Sequence, residues 1–498
     1  MPTRRDVLRA TVRAGTSLSF LPYASGAVHA QGPGTLVNDI HSQLNETRVE
    51  RVIAVDSESA LRRAIRAARR AGKSVSIAGG RHAMGGQQFA SGAVVIDTRP
   101  MQHSLRLDDK RGIVDADAGI QWPELVGRLV DMQKSRSRQW GIAQKQTGAD
   151  RLTLGGALGA NIHGRGLKFR PFIGDVEAFT IMDADGNLQT CSRTHNRELF
   201  RLVIGGYGLF GVVTRVQLRL MPRTKLERVV QVIDTDDLMN AFDQRIAEGF
   251  LYGDCQFSTD VDSDGYLKKG VFSCYRPLPP EAPMPAEVNE LGEAQWRALY
   301  YLSHADRRRA YETYLAYYLS TSGQRYWSDT NQMSLYLDNY HADLDRQLQA
   351  KVNGTEMITE LYVPRTALPS FLDAMRADLK QGDAQLIYGT IRLIEKDGES
   401  FLAWAREPWV CIVMNLHVDH DDGGVRKAAD NFRRLIDRAI EFGGSYYLTY
   451  HRWARREQVE RCYPQMPEFL RLKRRYDPSE VFQSDWYRHY KRMFSDRL

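Results

Sequence analysis

From Val410 to Val418 apolar residues recur at every second position. Val410, Ile412, Met414, Leu416 and Val418 fall on one face of a strand, and Cys411, Val413, Asn415 and His417 on the other. Strands are also expected at Val52–Val55, Val75–Ala78, Val94–Asp97, within Gly112–Gly119, at Val212–Leu220, at Met357–Val363 and at Gln385–Ile394. After the first of these the period lengthens. Leu61, Ile65 and Ala68 line one helical face, Ser57 can cap its start and Gly72 its end. Trp122–Met132 reads as a helix with Pro123 in its first turn, and Ala428–Phe442 as another with Phe432, Leu435, Ile436, Ala439 and Ile440 inward. Leu299–Leu319 is Tyr-rich and predicts one helix, its tyrosines in a core or interface. Five prolines between Arg276 and Val288 predict an extended surface loop.

Composition narrows the picture. A chain of 498 residues exceeds what one core needs, so two domains are expected. Hydrophobic content of 43% is that of a globular protein. The net charge of +7 is interspersed with acids, which argues against nucleic-acid binding, and no apolar run approaches the ~20 residues that cross a bilayer. The five cysteines contain no C-x-x-C pair and suggest no disulfide framework, although Cys255 and Cys274 could pair. Arg4-Arg5 and the weakly apolar segment through Leu21 look like a twin-arginine signal over 1–30, with a small-x-small cleavage site at Val28-His29-Ala30. The expected location is the periplasm.

The candidate chemistry begins at Gly79. Gly79, Gly80, Arg81, His82, Ala83, Gly85 and Gly86 follow a strand directly. Glycines let the backbone turn its N–H groups toward one point, which makes a phosphate nest; alone, the stretch could equally be a hairpin loop. It does not match G-x-G-x-x-G, so a Rossmann reading is poor. Two more small-residue runs follow. One holds Gly148, then Gly155, Gly156, Gly159, Asn161, His163 and Gly164. The other holds Gly206, Gly211, Val212 and Val213.

In this order the three runs resemble the flavin loops of the vanillyl-alcohol-oxidase (PCMH-type) family. The resemblance implies FAD, a covalent flavin link at His82, a His-Gly pair beside the flavin at His163-Gly164, and an adenosine-side stretch ending at Val212-Val213. It implies an α+β fold: a PCMH-type two-subdomain FAD-binding domain over 45–222 and an antiparallel-sheet substrate (cap) domain over 223–455. Residues 456–498 would return to the FAD domain. Gly389-Thr390-Ile391-Arg392 resembles the E-I-R segment of alditol and aldonolactone oxidases, with Thr where those have Glu. The C-terminal run Tyr463 to Asp485 resembles the end of decaprenylphosphoryl-ribose oxidase, and places Tyr450 and His451 near the ring.

The expected function is oxidation of a CH–OH group in a sugar-like alcohol or lactone by hydride transfer to flavin N5. His451 or Tyr450 would serve as base, and Arg392 would steady the developing alkoxide. The acceptor would be oxygen or a quinone or cytochrome. Ile162, just before the His-Gly pair, would block oxygen's approach to the flavin. The alternatives are a C=C reductase of the sterol-reductase type and a degenerate flavin-fold binding protein.

Overall fold

The computed structural model describes residues 34–335, 337 and 339–498. The signal reading of residues 1–30 lies outside them. Among the described residues no helix is long and apolar enough to cross a membrane.

Three parallel strands, ordered Arg51–Ala54, Val94–Asp97, Val75–Ala78, form a small sheet. The helix Glu58–Arg70 links the outer two. Ser57 Oγ accepts the Ala60 N–H at 3.3 Å, and Gly72 ends the helix at φ +64°. Leu61, Ile65 and Ala68 are buried against Val75, Val94 and Ile96, with Met182 and Val212 from the next sheet in the same cluster. That next sheet has six strands, all paired antiparallel. Its central strand, Val212–Pro222, buries Val212, Thr214, Val216 and Leu218 and leaves the alternate side chains partly open. The glycine runs meet one another there. A Cβ at Gly79 would stand 2.2 Å from Thr153 Oγ1, and one at Gly208 would stand 3.4 Å from Ile77 Cδ1.

Residues from 225 on build an eight-stranded antiparallel sheet. Its middle runs Tyr252–Phe257, Leu386–Ile394, Trp409–Asp419, Gly354–Pro364. The helix Asp422–Glu441 buries Phe432, Leu435, Ile436 and Ala439, and starts six residues before the expected Ala428 because Asp421 caps the Gly424 N–H at 2.7 Å. The expected single helix at Leu299–Leu319 is two, Glu293–Ala305 and Arg307–Ser320. Asp306 breaks them: it leaves helical geometry at φ −154° and caps the second helix through the Arg309 N–H at 3.0 Å. All five cysteines are free, and Cys255 and Cys274 oppose Phe272 and Gly253 across their strands rather than each other.

The chain then returns to the first sheet. The Val75 N–H donates to Val481 O at 2.6 Å, and the Gln483 N–H to Val75 O at 2.8 Å. The turn that delivers this segment is held by a buried ion pair, Lys473 Nζ to Asp477 Oδ2 at 2.5 Å. The same carboxylate accepts the Val481 and Phe482 N–H groups.

Candidate functional site

A cavity of about 650 Å³ lies between the glycine loops and the eight-stranded sheet. Gly79, Gly80, Arg81, His82 and Ala83 line one wall. Arg81 takes the left-handed conformation at φ +59°, the turn that aims successive N–H groups one way. Gly148, Gly155, Gly156 and Gly159 continue the wall, and Gly211, Val212 and Val213 close it. Five other sequence-predicted residues stand behind this wall. Gly85 donates its N–H to Gln87 Oε1 at 3.0 Å, and Gly86 turns the chain at φ +74°. Asn161 ends the helix Leu154–Ala160 in the left-handed region, and its side chain ties Ile173 to Asp397. Gly164 donates to Gln144 Oε1 at 3.1 Å. Gly206 leaves no room for a side chain, since a Cβ there would lie 2.1 Å from Leu202 O.

The wall fits a flat ring and a pyrophosphate. A Cβ at Gly159 would meet nothing nearer than the Gly208 nitrogen at 4.0 Å, and one at Gly148 would meet nothing within that distance. Both point into open space that any side chain would fill. His82 is buried, and burial with the neighbouring His41 holds its pKa well below the usual histidine range. Its Nδ1 lies 2.8 Å from His41 Nε2. His82 is thus a neutral imidazole on the cavity wall.

The opposite wall comes from the eight-stranded sheet. Glu356, Ile358 and Glu360 alternate down one face of Gly354–Pro364, all toward the cavity. His163 joins the two walls: its Nε2 is 2.6 Å from Glu360 Oε1, and its Nδ1 is 3.0 Å from Gly164 O. A carbonyl only accepts, so Nδ1 carries a proton. Tyr362 and Cys411 also donate to Glu360 Oε1, and the Tyr450 hydroxyl donates to Oε2 at 3.2 Å. Burial alone would raise the Glu360 pKa. His163, Tyr362 and Cys411 outweigh it and bring it to about 2. Arg392 lies two strands away, its Nη2 bonded to Thr147 Oγ1. Its buried Nε makes no hydrogen bond among the described residues, a state that costs about 1–3 kcal/mol unless a ligand answers it.

The expectation for His451 needs correcting. Tyr450 lines the cavity and His451 does not. Its ring stacks on Tyr446 and Trp453 and tilts against Phe432. Burial, with Arg433 nearby, lowers its pKa to about 3, so it is neutral and out of reach of a substrate. Of the tyrosines expected in a core or interface, Tyr300, Tyr311, Tyr314, Tyr317 and Tyr318 line the cavity. The sequence reading does not single out Glu360. The usable signal was two carboxylates on one face of an otherwise apolar strand.

Residues 49–192 match the FAD binding domain family. An uncharacterized oxidoreductase of the fasciation locus of Rhodococcoides fascians is 29% identical over 237 residues, 46% of this chain and 50% of that protein. Cytokinin dehydrogenase 7 of Oryza sativa subsp. japonica is 32% identical over 169 residues, 33% of this chain and 31% of its own length. Cytokinin dehydrogenase 1 of Arabidopsis thaliana is 32% identical over 170 residues, covering 32% and 28%. The chain thus spans half or less of these relatives. Together the matches make FAD the cofactor of this chain and support an FAD-dependent oxidoreductase.

Proposed function

We propose that this protein oxidises a CH–OH group of a sugar-like alcohol or lactone. The observation that carries the reading is the Tyr450 hydroxyl, set on the cavity wall and hydrogen-bonded to the buried Glu360 carboxylate. Burial raises the Tyr450 pKa well above the usual phenol range, so the group stays protonated and is no base by itself. It works instead as a relay. Its oxygen takes the substrate's hydroxyl proton as its own proton passes to Glu360 Oε2, which at a pKa of about 2 holds it only in transit to solvent. A bound FAD would supply the hydride acceptor against the glycine wall. Arg392 steadies the oxygen that becomes the carbonyl, and its Nε supplies the donor. His163 holds Glu360 Oε1 and keeps Oε2 turned to Tyr450.

The proposal extends to His82 as the residue covalently bonded to the flavin, and to export of the folded protein by the twin-arginine route. Ile162 is 4% exposed and borders the cavity, which favours a quinone or cytochrome over oxygen as acceptor.

A second reading is a cytokinin donor. The names of the relatives favour it, as does the aromatic lining by Trp296 and the tyrosines, a flat surface suited to a flat molecule. Anaerobic bleaching of the flavin separates the two. Sugar alcohols and lactones should bleach it, and Tyr450→Phe should slow that bleaching with flavin content unchanged. Bleaching by a cytokinin alone would reassign the substrate.

A further inference from the structure

We propose that Glu356, His304 and His417, with His341 beside them, form a site for a divalent cation of the zinc class. The four residues come from four segments. Glu356 lies on Gly354–Pro364, and His417 directly opposes it on Trp409–Asp419. His304 ends the helix Glu293–Ala305, and His341 opens the helix Tyr340–Leu348. His304 Nε2 stands 3.0 Å from Glu356 Oε1, and His341 Nδ1 stands 3.0 Å from Oε2. His417 Nδ1 is buried 3.7 Å from Oε1, too far for a hydrogen bond. The ligand atoms of His304, Glu356 and His417 all lie within 4.8 Å of one another.

Proton placement favours a cation. His304 Nδ1 lies 3.0 Å from Tyr300 O, so that nitrogen carries the hydrogen and Nε2 offers its lone pair. His417 Nε2 lies 3.4 Å from Asp419 Oδ1, and its buried Nδ1 faces Glu356 without a hydrogen bond. The His304 lone pair and the unbonded His417 Nδ1 both face one carboxylate that is itself an acceptor. Acceptors facing acceptors need positive charge between them. Protons alone would make imidazolium rings of His304 and His417, whose centroids are 5.3 Å apart. One dication serves every lone pair at once. The carbonyl behind His304 and the carboxylate behind His417 are the partners that orient metal-bound imidazoles. A donor set of imidazoles and one carboxylate, with no thiolate, suits zinc and its neighbours rather than calcium or magnesium.

The position suggests the role. Trp296, Leu299 and Tyr300 on the His304 helix form part of the cavity wall. An ion here staples that helix and the His341 helix to the sheet, and so fixes the aromatic wall against the floor set by Glu360.

The test uses the FAD-loaded protein, stripped with a chelator and reloaded with zinc alone. The expected result is about one zinc per chain retained through gel filtration. His304→Gln and His417→Asn should each lose most of that zinc while keeping FAD. Zinc-edge X-ray absorption on the unmutated protein reads the ligands without any variant, and should show imidazole scattering with no sulfur. Failure to retain zinc, retention that survives both substitutions, or a sulfur ligand (which would move the ion to His163, Glu360 and Cys411) overturns the proposal.

Discussion

Glu356 and Glu360 sit on one strand face, four residues apart, and both are buried, yet their surroundings differ. Glu360 is met by one imidazole, two phenols and a thiol, and both phenols and the thiol donate to it. Glu356 is met by three imidazoles and the Tyr340 hydroxyl. The first set completes a hydrogen-bonded cage with one oxygen directed through Tyr450 to the cavity. The second leaves lone pairs aimed inward and wants a cation. Burial is the same for both, so the partners are what distinguish the proposed relay from the proposed cation site.

Substitution at each carboxylate breaks the comparison most directly. Glu360→Gln should cut the rate of flavin reduction by about 10²–10⁴, the usual worth of positioned proton transfer, with FAD content unchanged. Glu356→Gln should change that rate only a few-fold and instead abolish zinc retention. Equal losses of rate in the two variants would erase the distinction. On the flavin side, Gly159→Leu should yield folded protein with roughly tenfold less FAD, read as the flavin-to-protein absorbance ratio, because its side chain enters the space left open opposite Gly208. His82→Ala should release all flavin into the supernatant of an acid precipitate, where the unmutated protein keeps its colour in the pellet.

Acid sharpens the contrast more gently. Glu360 has its folded pKa lowered to about 2 from an ordinary 4.5. A depressed carboxylate stabilises the fold above its unfolded pKa, and that contribution fades as pH falls from about 4.5 toward 2. The urea midpoint should therefore drop between pH 5 and pH 3, and drop less in Glu360→Gln. The smallest expected effect is at Ile162. Ile162→Gly should speed reoxidation of the reduced flavin by oxygen in stopped flow, and rapid reoxidation of the unmutated protein would rule that side chain out as the barrier.

The two sides of the cavity were not equally legible. The FAD wall is written in short contiguous runs, because glycine and small residues are demanded wherever backbone must approach a cofactor. Gly79, Gly155 and Gly211 could each be found from neighbours in sequence. Strand and helix bounds at Trp122–Met132 and Glu58–Arg70 were equally local, set by Pro123, Ser57 and Gly72. The wall from the eight-stranded sheet is assembled across distance. His163 and Glu360 are 197 residues apart and meet only because the eight-stranded sheet closes over the second glycine run. Nor does sequence tell which of two adjacent residues, Tyr450 or His451, turns inward. Phe432, from a helix some twenty residues earlier, claims His451 for the core. The Tyr-rich stretch misled because tyrosine suits both a core and a cavity, and only the break at Asp306 lays its two helices along the opening.

The return of the chain to Val75 has a consequence for the order of events in the cell. The Ser91 backbone is bound by Asp485, 394 positions later, and the strand that carries the first glycine loop is bordered by Val481–Gln483. At ~5–20 residues per second, a ribosome needs about 20 to 80 seconds to supply that border after the loop has been made. Until then the edge of the parallel sheet is bare, and the loop has no outer support. The strand that carries the first glycine loop therefore gains its outer border only once the C-terminal segment has been made.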